Sequence, residues 1–190
     1  MSRLFVALPL PDPVKRSLEP LARGLGDVRW LSGDQQHLTL RFIGEVDQGR
    51  VDEVAEALAL VEGLPFELKL EGLGHFPPRG EPKVLWVGVA KTSELVALKR
   101  RIDRALAAVD LTPETRKFVP HVTLARLRGP LSPERLQTWL MRHSLYRSES
   151  FAVSDFHLYS SWLKPWGAEH QLEASYELVP GLGDVADPDR

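Results

Sequence analysis

The sequence predicts an α+β protein of two similar lobes, with largely antiparallel sheets flanking a central cleft and helices on the outside. Three observations predict this fold class. Strand-like and helix-like segments mix along the 190 residues, often with two strands in succession. The pattern His-x-Thr-Leu occurs at 37–40 and again at 121–124, each time in an apolar run typical of a strand. The two copies are 121 − 37 = 84 residues apart, close to half the chain, and a helical pattern follows each.

The composition is that of an ordinary folded protein, with 43% apolar and 26% charged residues. The formal net charge of −2 argues against a large duplex-binding surface, although a local basic patch could hold RNA ends. The absence of cysteine excludes disulfides, thiol nucleophiles and cysteine-based zinc sites. No signal-peptide layout and no membrane-length apolar run is evident, so we expect a cytoplasmic monomer with one bilobal domain at 1–180.

The first elements are punctuated by proline and by polar turns. Residues 3–10 form an apolar run that predicts a buried strand, and Asp12 before a proline predicts the start of a helix. Pro20 falls inside that helical pattern and should interrupt it. Residues 28–31 and 37–43 are predicted strands separated by a polar turn.

The middle of the chain predicts two helices and two strands. Asp47 can cap a helix with an apolar stripe. Apolar and polar residues then alternate over 66–73, which is typical of a half-buried strand. Residues 74–82 are rich in proline and glycine and predict a loop, whereas 84–89 is a continuous apolar strand. A second amphipathic helix is predicted from about Ser93.

The last part of the chain repeats the strand–helix order and then closes with strands. Residues 118–127 carry the second His-x-Thr pattern, and Ser132 before a proline predicts the next helix cap. A long strand is predicted over 150–162 and a closing strand over 171–179. Residues 181–190 are expected to be a frayed tail.

The repeated pattern suits acid–base chemistry on a phosphate. Alternate side chains of a strand share a face, so His37 would lie with Thr39, and His121 with Thr123. One neutral and one protonated imidazole can take a proton from water and give one to a leaving alkoxide. Threonine hydroxyls can donate hydrogen bonds to the phosphate oxygens as negative charge grows. A strained cyclic phosphodiester needs little further electrophilic help, so we expect neither a metal nor another cofactor.

Four runs resemble the RNA 2′,3′-cyclic phosphodiesterase family, formerly known as 2′-5′ RNA ligases, among the two-histidine phosphoesterases. These runs are HLTLRFIGE, VLWVGV, FVPHVTLAR and FHLYSS. The resemblance implies hydrolysis of a 2′,3′-cyclic phosphate at an RNA end to a 2′-phosphomonoester, with 2′-5′ ligation as the reverse chemistry. It also implies that His37 donates a proton to the departing 3′ oxygen, that His121 activates water, and that Thr39 and Thr123 hold the phosphate. The residues alone leave open which histidine plays which role.

Two arginines beside the motifs are further candidates for phosphate binding. In a regular strand Arg41 shares the face of His37 and Thr39 and would add positive charge to the pocket. Arg126 would point away from His121 by the same alternation, so a structural ion pair and a phosphate contact both stay open.

Aromatic side chains are candidates for stacking on a base. Phe76, Tyr159 and Trp162 could each do so, and packing within the protein is the alternative for all three. His143 and His170 are interpreted as surface residues.

Two other functions remain open from the residues. The first is another two-histidine enzyme that acts on small cyclic nucleotides, 2′-5′ oligoadenylates or an ADP-ribose cyclic phosphate. The second is a non-catalytic module that binds an RNA end, against which two intact copies of the motif argue. The expected partner is therefore RNA with a 2′,3′-cyclic phosphate end, or a nucleotide.

Overall fold

The computed structural model describes residues 2–26, 28–164 and 167–179. Within them the strands are β1 (Ser2–Pro9), β2 (Val28–Trp30), β3 (His37–Val46), β4 (Phe66–Leu68), β5 (Leu70–Phe76), β6 (Val84–Val89), β7 (His121–Leu127), β8 (Phe151–Val153), β9 (Asp155–Lys164) and β10 (Gly167–Glu177). The helices are α1 (Asp12–Leu18), α2 (Gln48–Ala59), α3 (Ser93–Ala107) and α4 (Pro133–Arg142). The tail predicted at 181–190 lies outside the described residues.

One antiparallel sheet runs through the molecule in the order β10-β9-β1-β3-β7-β6-β5, and β2 pairs with the free part of β7. Strands β4 and β8 form a small separate sheet. In the described residues the two halves of the large sheet meet at one registered pair, Leu38 opposite Val122. The predicted α+β class, with antiparallel sheets in two lobes, is confirmed.

The helices cover one face of the sheet, and the core lies between. The apolar residues of the two motif strands that alternate with the His and Thr side chains are fully buried: Leu38, Leu40, Val122 and Leu124. Helix α3 packs on β3 and on α2, which also contacts β10. Next to the other half of the large sheet, the Trp139 indole of α4 donates a hydrogen bond of 3.0 Å to the carbonyl of Leu21. This leaves the opposite face of the central strands free for a cleft.

Several predicted helix boundaries are confirmed. Thr92 caps α3 by accepting a hydrogen bond from the Leu95 amide, and Ser132 caps α4. Helix α1 ends at Leu18, and a single 3₁₀ turn follows over Glu19–Leu21, as expected from Pro20. None of the helices in these described ranges is long and apolar enough to cross a membrane.

Two predicted strands are each divided into two in the observed fold. The run 66–73 is divided, since β4 pairs with β8 whereas β5 joins the large sheet and continues to Phe76. Residues predicted as the start of a loop are therefore strand. Gly74 is needed there because a Cβ atom would lie 2.3 Å from the Trp86 ring on β6. Similarly, the long strand predicted over 150–162 is interrupted at Ser154, between β8 and β9.

Candidate active site

The pair β3–β7 brings the two His-x-Thr patterns together. With Leu38 opposite Val122, antiparallel pairing sets His37 beside Thr123 and Thr39 beside His121. Diagonal neighbours across such a pair are about 7–8 Å apart, which lets two imidazoles flank one phosphate.

The four motif side chains line one cleft, which has two compartments. His37, Thr39 and Thr123 line a cavity of about 470 Å³. His121 and both threonines line an adjoining one of about 300 Å³. These volumes fall in the usual range of small-molecule sites.

A β-bulge interrupts β3 directly after its motif. Two consecutive residues of β1 lie opposite Thr39 and Arg41, so Leu40 is an extra residue in the ladder. Alternation restarts there, and Arg41 turns to the buried, helix-covered face. The expectation that Arg41 shares the face of His37 is therefore wrong.

Arg41 instead belongs to a buried ionic network. Its side chain is only 4% exposed and donates a hydrogen bond to the carbonyl of Thr112. Its guanidinium lies 3.9 Å from Asp103 and 3.7 Å from Glu114, and Lys99 contacts the same two carboxylates. The network ties β3 to α3 and to the segment that precedes β7.

Strand β7 carries a bulge at the same place. Two consecutive residues of β6 lie opposite Thr123 and Ala125, so Leu124 is the extra residue. Arg126 consequently faces the cleft and lines both compartments. The expectation that Arg126 points away is wrong for the same reason as for Arg41. The residue that corresponds to Arg126 on β3 is Phe42, which also lines both compartments.

The imidazole of His121 is held by its own strand. Its Nδ1 lies 2.7 Å from the carbonyl oxygen of Val119, and since a carbonyl can only accept, Nδ1 carries the proton. Nε2 is then the free acceptor of the neutral ring. Phe76 packs edge-to-face on this ring at 4.9 Å. Burial lowers the pKa of His121, and the positive charge of Arg116 lowers it further, against the hydrogen bond to Val119. The imidazole of His121 is therefore mostly neutral at pH 7.

His37 lies in a more strongly desolvating environment. Its ring stacks on Phe5 at 4.9 Å. Burial, and then the neighbouring His170, lower the pKa of His37 to about 3, although a hydrogen bond to the backbone of Gln35 opposes them. Arg126 also lowers it. An anion in the cleft would oppose this positive field and favour the imidazolium.

His170 lies in the cleft, contrary to its interpretation as a surface residue. Its ring is 5.3 Å from that of His37 and 5.0 Å from that of Phe5. Its Nδ1 is buried without a hydrogen-bond partner in the described structure. The sequence has no local signal for this placement, because it results from β10 pairing with β9 and β9 with β1.

Phe76 lines the compartment on the His121 side. Its ring lies 5.3 Å from that of Trp86, and the Arg116 guanidinium carbon is 5.5 Å from the Phe76 centroid. The geometry leaves Phe76 a candidate for stacking on a base.

The other two aromatic candidates lie elsewhere. Tyr159 stacks on Phe5 at 5.3 Å, behind His37, and its hydroxyl is 2.9 Å from Nδ1 of His157. Trp162 follows Ser161, whose side chain lines the cleft, so strand alternation turns Trp162 to the other side. Neither Tyr159 nor Trp162 is among the residues that line the two compartments.

The compartment on the His37 side is basic. Four cationic side chains line it, and none of its described lining residues is acidic: Arg3, Arg29, Arg126 and Lys164. This contrasts with the net charge of −2 for the whole chain. No group of three potential metal ligands was found among the described residues.

Replacing His37 with glutamine is expected to flatten the pH dependence of stability. Below the ordinary pKa of 6.5, the unfolded chain binds a proton that folded His37, with a pKa of about 3, does not bind. Stability therefore falls as the pH drops from 6.5 towards 3, by about 1–2 kcal/mol at pH 5 from this group. Urea unfolding at pH 7 and pH 5 measures the difference. His75→Gln, outside the cleft, is the control. If both variants lose the same free energy of unfolding between pH 7 and pH 5, His37 is not the source of the pH dependence.

The chain is similar in sequence to known proteins over most of its length. The family model described as the 2′-5′ RNA ligase superfamily matches residues 10–162. The RNA 2′,3′-cyclic phosphodiesterase of Thermotoga maritima is 32% identical over 187 residues, covering 95% of this chain and 97% of that protein. The RNA 2′,3′-cyclic phosphodiesterase of Aeropyrum pernix is 38% identical over 132 residues, covering 69% and 75%.

Solved structures share the fold. TT0787 of Thermus thermophilus has a TM-score of 0.78 at 26% identity, covering 94% of this chain and 98% of that one. E. coli LigT complexed with 3′-AMP has a TM-score of 0.75 at 22% identity with the same coverage. Since the family model spans most of the chain and the T. maritima relative matches it almost from end to end, the chain belongs to the 2′-5′ RNA ligase superfamily.

Proposed function

We propose that this protein hydrolyses the 2′,3′-cyclic phosphate at an RNA end to a 2′-phosphomonoester, by acid–base catalysis from its two motif histidines without a metal. The observation that carries the proposal is that His37 and His121 face one cleft from adjacent central strands, each beside a threonine. The names of the T. maritima and A. pernix relatives support the substrate class. Because both motif strands come from one chain, we propose that a monomer is the active form, and we further propose that it acts in the cytoplasm.

His121 is the proposed general base. With its Nδ1 proton held by Val119, its Nε2 can accept a proton from a water molecule on the same side of the phosphate. The oxygen of that water then forms a bond to phosphorus.

His37 is the proposed general acid, as the family resemblance implies. The bond from phosphorus to the 3′ oxygen breaks, and His37 gives this oxygen a proton, which leaves a 3′-hydroxyl and a 2′-phosphate. His37 must be protonated beforehand, and the negative charge of the bound phosphate raises the pKa of His37 from the low value that burial gives it.

We propose that the substrate phosphate is bound by Thr39, Thr123 and Arg126. The two hydroxyls can donate to the non-bridging oxygens, and Arg126 places a positive charge where negative charge grows in the transition state. If a 5′-hydroxyl replaces water, the same proton transfers make a 2′-5′ phosphodiester and release the 3′ oxygen. This is the proposed ligation activity.

Product analysis tests the proposed function. An oligonucleotide with a 2′,3′-cyclic phosphate, incubated with the protein and a chelator, is expected to give only the 2′-monophosphate. A 3′-monophosphate would contradict the proposed bond cleavage, and loss of activity with chelator would contradict a metal-free mechanism. Rates on cyclic mononucleotides, 2′-5′ oligoadenylates and an ADP-ribose cyclic phosphate distinguish the alternative substrates.

A further inference from the structure

Two arginines face each other across the pair β2–β7. Arg29 lies directly opposite Arg126, and both side chains line the compartment on the His37 side. Like charges at directly opposed positions destabilise an antiparallel pair. Neither guanidinium has a carboxylate within 4 Å in the described part of the chain. Phosphate groups bound beside the two guanidinium groups would offset the repulsion.

The arginine pair lies two residues of β6 farther along the sheet than Thr123. Thr123 is opposite Trp86 on β6, and Arg126 is opposite Val84. Two residues of a strand span about 7 Å. That step resembles the distance between neighbouring phosphates along a single RNA strand. Arg126 can therefore contact the reacting phosphate. Arg29, on the neighbouring strand β2, lies farther from that phosphate.

Arg29 differs from Arg3, another cation of this compartment, in having no ion-pair partner in the described part of the chain. Arg3 already donates to the Glu45 carboxylate at 2.9 Å, and its side chain is about half exposed. Arg29 is half-buried and has no carboxylate partner among the described residues, so its guanidinium fork can bind a phosphate.

We propose that Arg29 forms a second phosphate subsite, which binds the phosphate on the 5′ side of the terminal ribose. This proposal rests on the proposed function, because it places the cyclic phosphate between the two motif histidines. The preferred substrate is then a cyclic-phosphate end that carries a further phosphate at its 5′ position, whether free or as the next phosphodiester. A nucleoside 2′,3′-cyclic phosphate without it leaves the subsite empty.

A cycle of two substrates and two proteins tests the subsite. The substrates are adenosine 2′,3′-cyclic phosphate with and without a 5′-phosphate, and the proteins are the wild type and Arg29→Gln. We expect the 5′-phosphate to raise kcat/KM of the wild type about tenfold or more, as a charged hydrogen-bonded contact does. Arg29→Gln should abolish this gain and change kcat/KM for the substrate without it by less than about threefold. Arg100→Gln, the same charge change on the exposed side of α3, should keep the gain.

The outcomes separate the subsite from other roles of Arg29. If Arg29→Gln lowers kcat/KM equally for both substrates, Arg29 acts at the reacting phosphate or in folding. If Arg29→Gln keeps the increase in kcat/KM that the 5′-phosphate gives, Arg29 does not bind that phosphate. Either result overturns the proposal.

Calorimetry with two non-cyclic ligands separates failure of the subsite from failure of the proposed function. Adenosine 2′,5′-bisphosphate should bind more tightly than adenosine 2′-monophosphate to the wild type, and equally to Arg29→Gln. If the protein hydrolyses neither these two substrates nor a cyclic-phosphate oligonucleotide, the proposed function fails, and this comparison still decides the subsite. No affinity gain from the 5′-phosphate in the wild type overturns it.

Discussion

Replacing His121 with alanine is expected to lower kcat for cyclic-phosphate hydrolysis by about 10²–10⁴-fold, the usual contribution of one positioned proton transfer. The same loss is expected for His37→Ala. In the proposed mechanism the two imidazoles act in one step on one phosphate, so the double variant should lose less than the product of the two single losses. KM should change little, because Thr39, Thr123 and Arg126 remain to hold the anion.

Single-turnover rates with a cyclic-phosphate oligonucleotide measure these losses. His75→Ala is a matched control, since His75 also lies 2.7 Å from a backbone carbonyl through Nδ1 but is absent from the lining of both compartments. A His121→Ala protein that keeps more than a tenth of the wild-type rate would contradict the assigned proton transfer.

Replacing Arg41 with methionine is expected to lower the free energy of unfolding by about 3 kcal/mol. Removing one partner of a buried ion pair typically costs about 3–5 kcal/mol, because the other charge stays buried. Here Asp103 keeps Lys99 as a partner at 2.6 Å and is itself 30% exposed, which favours the lower end.

Urea unfolding measures the loss, with Arg100→Met on the exposed side of α3 as the control. If Arg41→Met is as stable as this control, the network contributes nothing to stability. The activity of Arg41→Met per folded molecule should stay close to that of the wild type, since Arg41 lies on the face opposite to the cleft. A large loss of kcat in a folded Arg41→Met protein would instead assign Arg41 to the chemistry.

Local patterns in the sequence were sufficient to predict most elements and the four motif side chains. Apolar runs predict β3 and β7 because the residues that alternate with the motif His and Thr are buried on the helix-covered face of the sheet. The spacing of His37 and Thr39 predicts their shared face, since no bulge falls between them. The N-cap at Ser132 is predictable because its hydrogen bond is made within three residues.

Residues after the bulges were assigned to the wrong faces. Alternation is a rule for a regular ladder, and the extra residues Leu40 and Leu124 look like ordinary apolar strand residues in the sequence. Arg41 and Arg126 therefore exchanged their predicted environments. Composition gives no sign of either bulge, because the partner strand defines it.

Side chains that reach the cleft from distant strands were also missed. Phe5 and His170 lie next to His37 through the order β10-β9-β1-β3, which joins both ends of the chain. Arg29 lies beside Arg126 because a three-residue strand continues the line of β3 along β7. These contacts depend on sheet order, which no local pattern in these segments specifies.

The matched bulges also bear on how this cleft can change over evolution. A bulged strand bends and twists more strongly than a regular one, and here both central strands do so at the same level beyond their threonines. The concavity is thus a property of backbone register and not of any particular side chain. Substitutions in the cleft would change the side chains around the anion, while the curvature of the two bulged strands stays the same. New substrates can therefore be accommodated without a change of fold.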